Sequence, residues 1–96
     1  MFVKKLKSLT FQYWLKMSDK ITVISWKKLH KYFLSVGCRL SRESGDHIIY
    51  ERNDLLRPLV IPRDRDIPVF IVKNNLRILG VSHEEYINKL KRKNPR

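Results

Sequence analysis

The sequence predicts an α+β domain in which a three-stranded antiparallel sheet carries its helices packed on one face, in the order α-β-β-β-α-α. Apolar residues recur at helical spacing up to residue 37 and again after residue 68. Between these stretches apolar and polar residues alternate, and short turns with Gly, Asn or Asp divide the chain into three strands. A length of 96 residues, 43% of them hydrophobic, suits one small core and argues against a disordered tail.

The first twenty residues differ from the rest of the chain. Phe2, Leu6 and Trp14 lie among lysines, a composition typical of a basic amphipathic helix. We therefore separate an N-terminal basic extension, residues 1–20, from the domain itself, residues 21–96. Met17 leaves a second interpretation open, in which translation starts there and the preceding residues are an upstream reading artefact.

The first predicted helix begins after Ser25, whose hydroxyl can accept a hydrogen bond from a free N–H group of the first turn. Its apolar positions recur every three or four residues, at Trp26, Leu29, Phe33 and Val36. This spacing puts them on one face and makes Trp26 and Phe33 core residues. Gly37 ends the helix because glycine readily adopts the left-handed conformation.

Residues 38–62 change to the two-residue period of strands. The strands are predicted over residues 38–42, 47–52 and 59–61, with turns at 44–46 and 53–54. The first strand alternates as a half-buried strand does, and Cys38 is expected to be a small core residue. Two consecutive hairpins then give an antiparallel meander.

Helical signals return at Pro68, which suits a first helical turn. The apolar positions of this helix are Val69, Val72, Leu76 and Leu79. Gly80 ends it. Ser82 and Glu85 are three residues apart and form a capping box, which predicts that a last helix begins there.

The chain is strongly basic, with 21 Lys and Arg against 9 Asp and Glu and a net charge of +12. Such an excess indicates a polyanion or an acidic protein as partner. Arginines are concentrated in the middle of the chain, and a guanidinium group can bind two phosphate oxygens at once. Both kinds of partner are compatible with this charge.

Composition also excludes several kinds of site. Cys38 is the single cysteine, so an intrachain disulfide and a cysteine-based zinc site are both impossible. No apolar run approaches the roughly 18 residues that a membrane helix needs. We expect a cytoplasmic protein without membrane contact, and we expect no metal or other cofactor.

The ordered set of these segments resembles the HicA toxin family, also called YcfA-like. In that family a capped helix ending at Gly and an alternating strand precede Gly-x-His-x-x-Tyr/Phe, which here reads Gly45-Asp46-His47-Ile48-Ile49-Tyr50. A strand ending in Val/Ile-Pro follows, here Ile61-Pro62. The next helix ends in Gly-Leu/Val-Ser before acidic residues, here Gly80-Val81-Ser82-His83-Glu84-Glu85. The resemblance spans about residues 20–90.

The resemblance implies a double-stranded-RNA-binding-like fold and a type II toxin that cleaves messenger RNA, with His47 as the essential group. It also implies an acidic antitoxin of the HicB kind, which should cover the basic sheet face around His47. The chain departs from the family pattern twice. Many members have a second His where this chain has Asp64, and many open the following helix with Pro-Gly-Thr where it has Pro68-Val69-Phe70.

The chemistry of such a reaction suits a histidine. RNA carries its own nucleophile, the 2′-hydroxyl beside each phosphodiester, so cleavage needs a base, an acid and cations for the phosphorane. A His side chain, with an ordinary pKa of about 6.5, can serve in either proton-transfer role without a metal. The resemblance, taken with this chemistry, implies general acid–base catalysis by His47.

The candidate RNA- and phosphate-binding residues are Arg42, Gly45, Arg52, Arg63 and Lys73. Arg42 and Arg52 flank His47 in sequence and could lie near it across the hairpin, where a guanidinium group would stabilise the phosphorane. Gly45 would let a phosphate approach the backbone closely.

Other assignments stay open. Tyr50 has the opposite parity from His47 in a regular strand, which favours the core, and His30 and His83 are expected to be structural or exposed. Without the resemblance, His47 would be an ordinary polar residue that closes a turn. The alternative function is a non-catalytic RNA-binding module of the same fold. A third interpretation is a protein-interaction adaptor whose charge serves only an acidic partner.

Overall fold

The computed structural model describes residues 20–93 and has the predicted α+β architecture. Its elements are α1 (Trp26–Ser35), β1 (Arg39–Ser44), β2 (His47–Glu51), β3 (Leu59–Pro62), α2 (Val69–Leu79) and α3 (His83–Lys93). The predicted class and element order are therefore confirmed. The basic extension and the question of a start at Met17 fall outside the described residues, apart from Lys20.

The predicted helix ends are present. The Lys28 N–H donates to the Ser25 hydroxyl at the start of α1, with 3.3 Å between the atoms. Gly80 ends α2 in the left-handed conformation, with φ +74°. The Glu85 N–H donates to the Ser82 hydroxyl and the Ser82 N–H donates to the Glu85 carboxylate, each at 3.1 Å. None of the helices in the described part of the chain is long and apolar enough to cross a membrane.

The three strands form one antiparallel sheet in the order β1-β2-β3. Ser44 pairs with His47 at the first hairpin, so Gly45 and Asp46 make a two-residue turn. Gly45, the first residue of the turn, has φ +60°, whereas Asp46, like every other non-glycine residue of the described chain, has no positive φ. A positive φ at the first turn position only is typical of a type II′ turn. This turn sets the register that places His47 at the start of β2.

The first strand corrects the expectation of a half-buried strand over residues 38–42. β1 runs over Arg39–Ser44 and all six of its residues are exposed, while Cys38 is buried just before it. The register shifts between Leu40 and Arg42, which is a β-bulge. The residues of β1 are exposed because β1 is an edge strand and the described helices pack over β2 and β3 instead.

The core lies between the sheet and the helices. It is formed by apolar side chains of every element except β1, including Leu29, Phe33, Ile48, Tyr50, Leu59, Ile61, Val72, Leu76 and Tyr86. Phe33 and Cys38 are buried as expected. Trp26, also expected in the core, is only half-buried and packs at its margin, because it is the first residue of α1 and its N–H is bonded to the carbonyl of Asp64, in the loop after β3.

A buried amide closes the outer edge of β3. Asn75 of α2 is 4% exposed. Its Nδ2 donates to the carbonyls of Val60 and Ile71, at 3.3 and 2.9 Å, and its Oδ1 accepts from the Val60 N–H at 3.3 Å. One side chain thus satisfies backbone groups that an edge strand otherwise leaves to water.

Candidate functional site

His47 is the first residue of β2, and its side chain is exposed. It is paired with Ser44 on one side and with Pro62 on the other. Its neighbour Ile48 is fully buried, so the alternation of the strand turns His47 away from the helices. Within residues 20–93 no hydrogen bond or ion pair engages the imidazole, which leaves both ring nitrogens available to a ligand.

The register defines the surface around this imidazole, because residues directly opposite each other in an antiparallel pair share a face. We call this surface the outer sheet face; it comprises Arg39, Arg42, Ser44, His47, Ile49, Glu51, Val60 and Pro62. All of these residues are exposed or half-buried. Within residues 20–93 the helices cover only the opposite face, so this part of the chain leaves the strands open to a long polymer from this side.

Arg42 is the predicted cation that the structure brings to the same face as His47. It is exposed and pairs with Ile49, two residues along β2 from His47. Diagonal neighbours of this kind are roughly 7–8 Å apart in the backbone, a distance that an arginine side chain can span. No ion pair engages Arg42 within residues 20–93, and its guanidinium group can therefore turn towards a phosphate bound at His47.

Gly45 lies in the turn directly before His47. A Cβ atom built on it would meet no atom within 4 Å, so the space beside the turn is open. The requirement for glycine here is conformational, since φ is +60° and side chains disfavour that region. A hydrogen bond from the residue after β3 also stabilises this turn, since the Arg63 N–H donates to the Asp46 carbonyl at 2.7 Å.

Arg63 follows the partner of His47 in β3 but lies on the helix side of the sheet. Its guanidinium group is ion-paired with Glu43 and lies over the Trp26 ring, 5.0 Å from the centroid. Glu43 is opposite the buried Ile48, so Glu43 and the Arg63 side chain that it binds lie on the helix side of the sheet. Both contacts hold the arginine away from the outer sheet face.

The structure does not bring Arg52 and His47 together, because they lie at opposite ends of β2. Arg52 binds the Asp54 carboxylate through two N–H groups, at 2.6 and 3.0 Å, and donates to the Val36 carbonyl at 2.5 Å. This guanidinium group lowers the pKa of Asp54. Arg52 therefore ties the end of α1 to the turn after β2.

Lys73 is exposed on α2, two residues before Asn75. Asn75 faces the edge of β3, and residues two apart on a helix point to nearly opposite sides. Lys73 therefore faces away from the sheet, and β3 lies between it and His47.

The other histidines occupy structural or peripheral positions. Nδ1 of His30 is hydrogen-bonded to the Tyr50 hydroxyl at 2.6 Å, and the Tyr50 ring is fully buried on the helix side as parity predicted. Burial and the Glu43 carboxylate raise the pKa of Tyr50 to about 12, so this hydroxyl stays protonated. His83 is exposed at the start of α3.

No group of three His, Cys, Asp or Glu side chains that could hold a metal occurs in the described part of the chain. Asp64 is exposed, and its carbonyl accepts a hydrogen bond from the Trp26 N–H at 2.9 Å. It thus lies between the end of β3 and the start of α1. His47 is the single imidazole on the outer sheet face of the described residues.

Two features of the site were missed from sequence. The first is the Glu43 carboxylate, which engages Arg63; a register drawn from the two-residue turn would have placed Glu43 on the helix side. The second is the apolar centre of the outer sheet face, where Ile49 pairs with Val60 and Val60 is 41% exposed. Strand parity alone places Ile49 beside His47 on this face.

One comparison with known proteins identifies a family. Residues 26–81, more than half of the chain, match the model of the family described as HicA toxin of bacterial toxin-antitoxin. This match extends from the first residue of α1 to the residue after Gly80 and includes the whole sheet. No curated protein and no solved structure matches the chain.

Proposed function

The chain belongs to the HicA toxin family of bacterial toxin–antitoxin systems, and from this premise we propose that it is an endoribonuclease that cleaves messenger RNA without a metal. His47 is the proposed general acid–base group. The observation that carries the proposal is the exposure of an imidazole without protein partners among the described residues, on an open sheet face and diagonal to Arg42. A substrate in messenger RNA would make the protein cytoplasmic.

The proposed reaction requires two proton transfers, one from the 2′-hydroxyl and one to the leaving 5′-oxygen. A base removes the proton of the 2′-hydroxyl, and the 2′-oxygen attacks the adjacent phosphorus. The bond from phosphorus to the 5′-oxygen then breaks, and an acid protonates the leaving oxygen, so that a 2′,3′-cyclic phosphate and a 5′-hydroxyl result. His47 can supply either transfer, and water or a substrate group supplies the other, since the face carries no second imidazole among described residues.

Arg42 is the proposed electrophilic group. The phosphorane gains negative charge relative to the phosphodiester, and a guanidinium group aimed at it stabilises the transition state more than the ground state. Gly45 is proposed to leave room for the phosphate beside the turn. Arg52 and Arg63 have protein partners of their own, and for this reason we give them no contact with the scissile phosphate.

An acidic antitoxin of the HicB kind is the proposed protein partner. Membership of a toxin–antitoxin family implies an antitoxin, and the net charge of +12 favours an acidic one. A partner that lies over the outer sheet face would block the approach of RNA to His47. Inhibition would then be competitive with RNA.

One structural observation favours the alternative, a non-catalytic RNA-binding module. Asp64 stands where many family members have a second histidine, and the outer sheet face has one imidazole within the described residues. Such a module would bind RNA through the same face and leave it intact.

The test is cleavage of a messenger RNA transcript by the purified chain in the presence of EDTA. We expect cleavage by the wild type and a loss of about 10²–10⁴-fold in His47→Ala, with unchanged folding by circular dichroism. His83→Ala removes an exposed imidazole outside the site and should retain full activity. In the same assay Arg42→Gln should lose about tenfold or more. Arg57→Gln, the same charge change at the opposite end of the sheet, should lose nothing comparable.

The outcomes separate the two functions. If the wild type binds the transcript and leaves it whole, the RNA-binding module is correct. If His47→Ala cleaves the transcript as fast as the wild type, His47 is not the catalytic group, even though the protein is a ribonuclease.

A further inference from the structure

The two edges of the sheet are not equivalent. At the β3 edge, the amide of Asn75 binds both the N–H and the carbonyl of Val60, and Asn75 itself is buried. At the β1 edge all six residues are exposed. No backbone hydrogen bond of β1 other than its pairing with β2 occurs among the described residues. One edge is closed and the other is open.

The turn identifies which backbone groups of β1 are free. Ser44 and His47 flank a two-residue turn, and such a pair exchanges both of its hydrogen bonds. The next pair, Glu43 with Ile48, is then a non-hydrogen-bonded pair. The N–H and the carbonyl of Glu43 consequently point away from β2, towards solvent.

The opposite side of the sheet verifies this alternation independently. If Ser44 and His47 are hydrogen-bonded, then the Ile49–Val60 pair must be non-hydrogen-bonded, and both backbone groups of Val60 must point outwards. They do, because Asn75 binds both of them. Pro62, which lacks an N–H group, also falls at a position that needs none.

The side chains of β1 specify the chemistry of an added strand. Arg39 and Arg42 lie on the outer sheet face, Arg39 in an exposed ion pair with Glu51 at 3.6 Å and Arg42 without an ion pair among the described residues, whereas Leu40 lies on the helix side and is 40% exposed. A strand alongside β1 would place acidic side chains next to the two arginines and an apolar side chain next to Leu40. A second copy of this chain is a poor occupant, because each copy carries a net charge of +12.

We propose that the acidic antitoxin adds an extended strand to the open edge of β1, with alternating acidic and apolar residues. This inference rests on the proposed function, since it names how the antitoxin binds. Strand addition supplies main-chain hydrogen bonds through Glu43 and specificity through the side chains. The added strand lies about 4.8 Å from β1 and roughly twice that from β2, next to the strand whose Ser44 pairs with His47.

The experiment uses the full chain in complex with its antitoxin, the acidic protein that the proposed function implies. Glu43→Pro removes the outward N–H, and Glu43→Ala is the matched control, because both variants lose the ion pair with Arg63. We expect the proline variant to bind the antitoxin about tenfold more weakly than the alanine variant, as measured by titration calorimetry. Proline is tolerated at an edge position whose N–H faces solvent.

Amide hydrogen exchange gives a second measurement on the wild type, which needs no variant to fold. The Glu43 amide should exchange rapidly in the free chain and become protected in the complex. The Arg42 and Ser44 amides are paired with β2 and should be protected in both states.

The outcomes are distinct. If the complex forms while the Glu43 amide stays unprotected and the two variants bind equally, strand addition is wrong and the toxin–antitoxin proposal stands. If the acidic protein does not bind the wild-type chain at all, both proposals fail.

Discussion

Two buried tyrosine hydroxyls in this core have opposite surroundings. The Tyr50 hydroxyl is hydrogen-bonded to Nδ1 of His30 at 2.6 Å. The Tyr86 hydroxyl is buried without a hydrogen-bond partner among the described residues, and its ring meets Tyr32 edge-on with 4.9 Å between centroids. The same chemical group should therefore contribute to stability with opposite sign at the two positions.

We predict that Tyr50→Phe lowers the free energy of unfolding by about 1 kcal/mol, because it removes a hydrogen bond and leaves His30 without it. Tyr86→Phe is the matched change and should be neutral or stabilising, since it removes a buried polar atom without a described partner. Urea denaturation of both variants measures the difference. Equal destabilisation by the two changes would contradict this account of the hydroxyls.

The surroundings of individual side chains also explain why His47 and not His30 is the candidate catalytic group. Both are imidazoles on or near β2, but the His30 ring contacts Trp26 and Tyr50 at 6.2 and 5.5 Å between centroids and binds a hydroxyl. His47 has no such contacts within the described residues and is exposed. A group that must gain and lose protons to a ligand needs the second environment.

Among the elements, α2 has a function besides covering the core. Through Asn75 it binds both outward-pointing backbone groups of Val60, in the middle of β3. The sheet consequently exposes one free edge, at β1, and one free face.

We predict that Asn75→Ala lowers the free energy of unfolding by about 2–3 kcal/mol, because the hydrogen bonds of the Asn75 amide to the Val60 N–H, the Val60 carbonyl and the Ile71 carbonyl are lost together. Asn74→Ala is the matched control: it is the neighbouring asparagine, exposed on the same helix, and should change stability by no more than about 0.5 kcal/mol. Urea denaturation of both variants tests this. The opened β3 edge should also promote self-association of Asn75→Ala, which sedimentation measures.

A result in which Asn74→Ala and Asn75→Ala are equally stable would show that the edge of β3 does not depend on this amide. Destabilisation without self-association would retain the hydrogen-bond argument and reject only the argument about the exposed edge.

For the molecule as a whole, the core of residues 20–93 contains three buried tyrosines, and their burial makes stability depend on alkaline pH. Burial, followed by the nearby carboxylate of Glu85, raises the pKa of Tyr32 from 10.0 to about 12, and burial raises the pKa of Tyr50 from 10.0 to about 12. Burial also raises the pKa of Tyr86. The folded state favours the neutral phenol, so its contribution is complete below pH 10 and is lost as pH rises through about 12.

We predict that the free energy of unfolding falls above pH 10, with each buried tyrosine contributing up to about 1.4 kcal/mol per pH unit. Urea denaturation at a series of pH values measures the slope. Tyr50→Phe should have a shallower slope than the wild type, and because both proteins carry the same lysines, the titration of lysine cancels in this comparison. Identical slopes would mean that Tyr50 ionises equally easily in the folded and unfolded states.

Much of this fold could be predicted from local sequence. The hydroxyl of Ser25, the left-handed Gly80 and the reciprocal pair of Ser82 and Glu85 each act within one turn of a helix, and the structure contains all three. The parity that separates Tyr50 from the exposed side of β2 is also a local property. The exposed position of His47 follows from the same alternation once the helices cover one face.

Other features depended on which elements meet. Arginine is a residue type that commonly binds phosphate, but Arg52 is bound by Asp54 and Val36 instead. Arg63 is ion-paired with Glu43 and lies over the Trp26 ring. The half-buried alternation expected of β1 fails because none of the described helices buries a residue of that edge strand.

Local sequence patterns were sufficient to predict the order of helices and strands, the ends of the helices and the parity that separates His47 from Tyr50. Contacts between distant elements establish which arginine shares a face with His47, which sheet edge is bound by Asn75 and which tyrosine hydroxyl has a partner. The physical reason is range. Capping and strand parity depend on neighbours within a few residues, whereas hydrogen bonds and ion pairs between elements depend on a register and a packing that the whole chain fixes together.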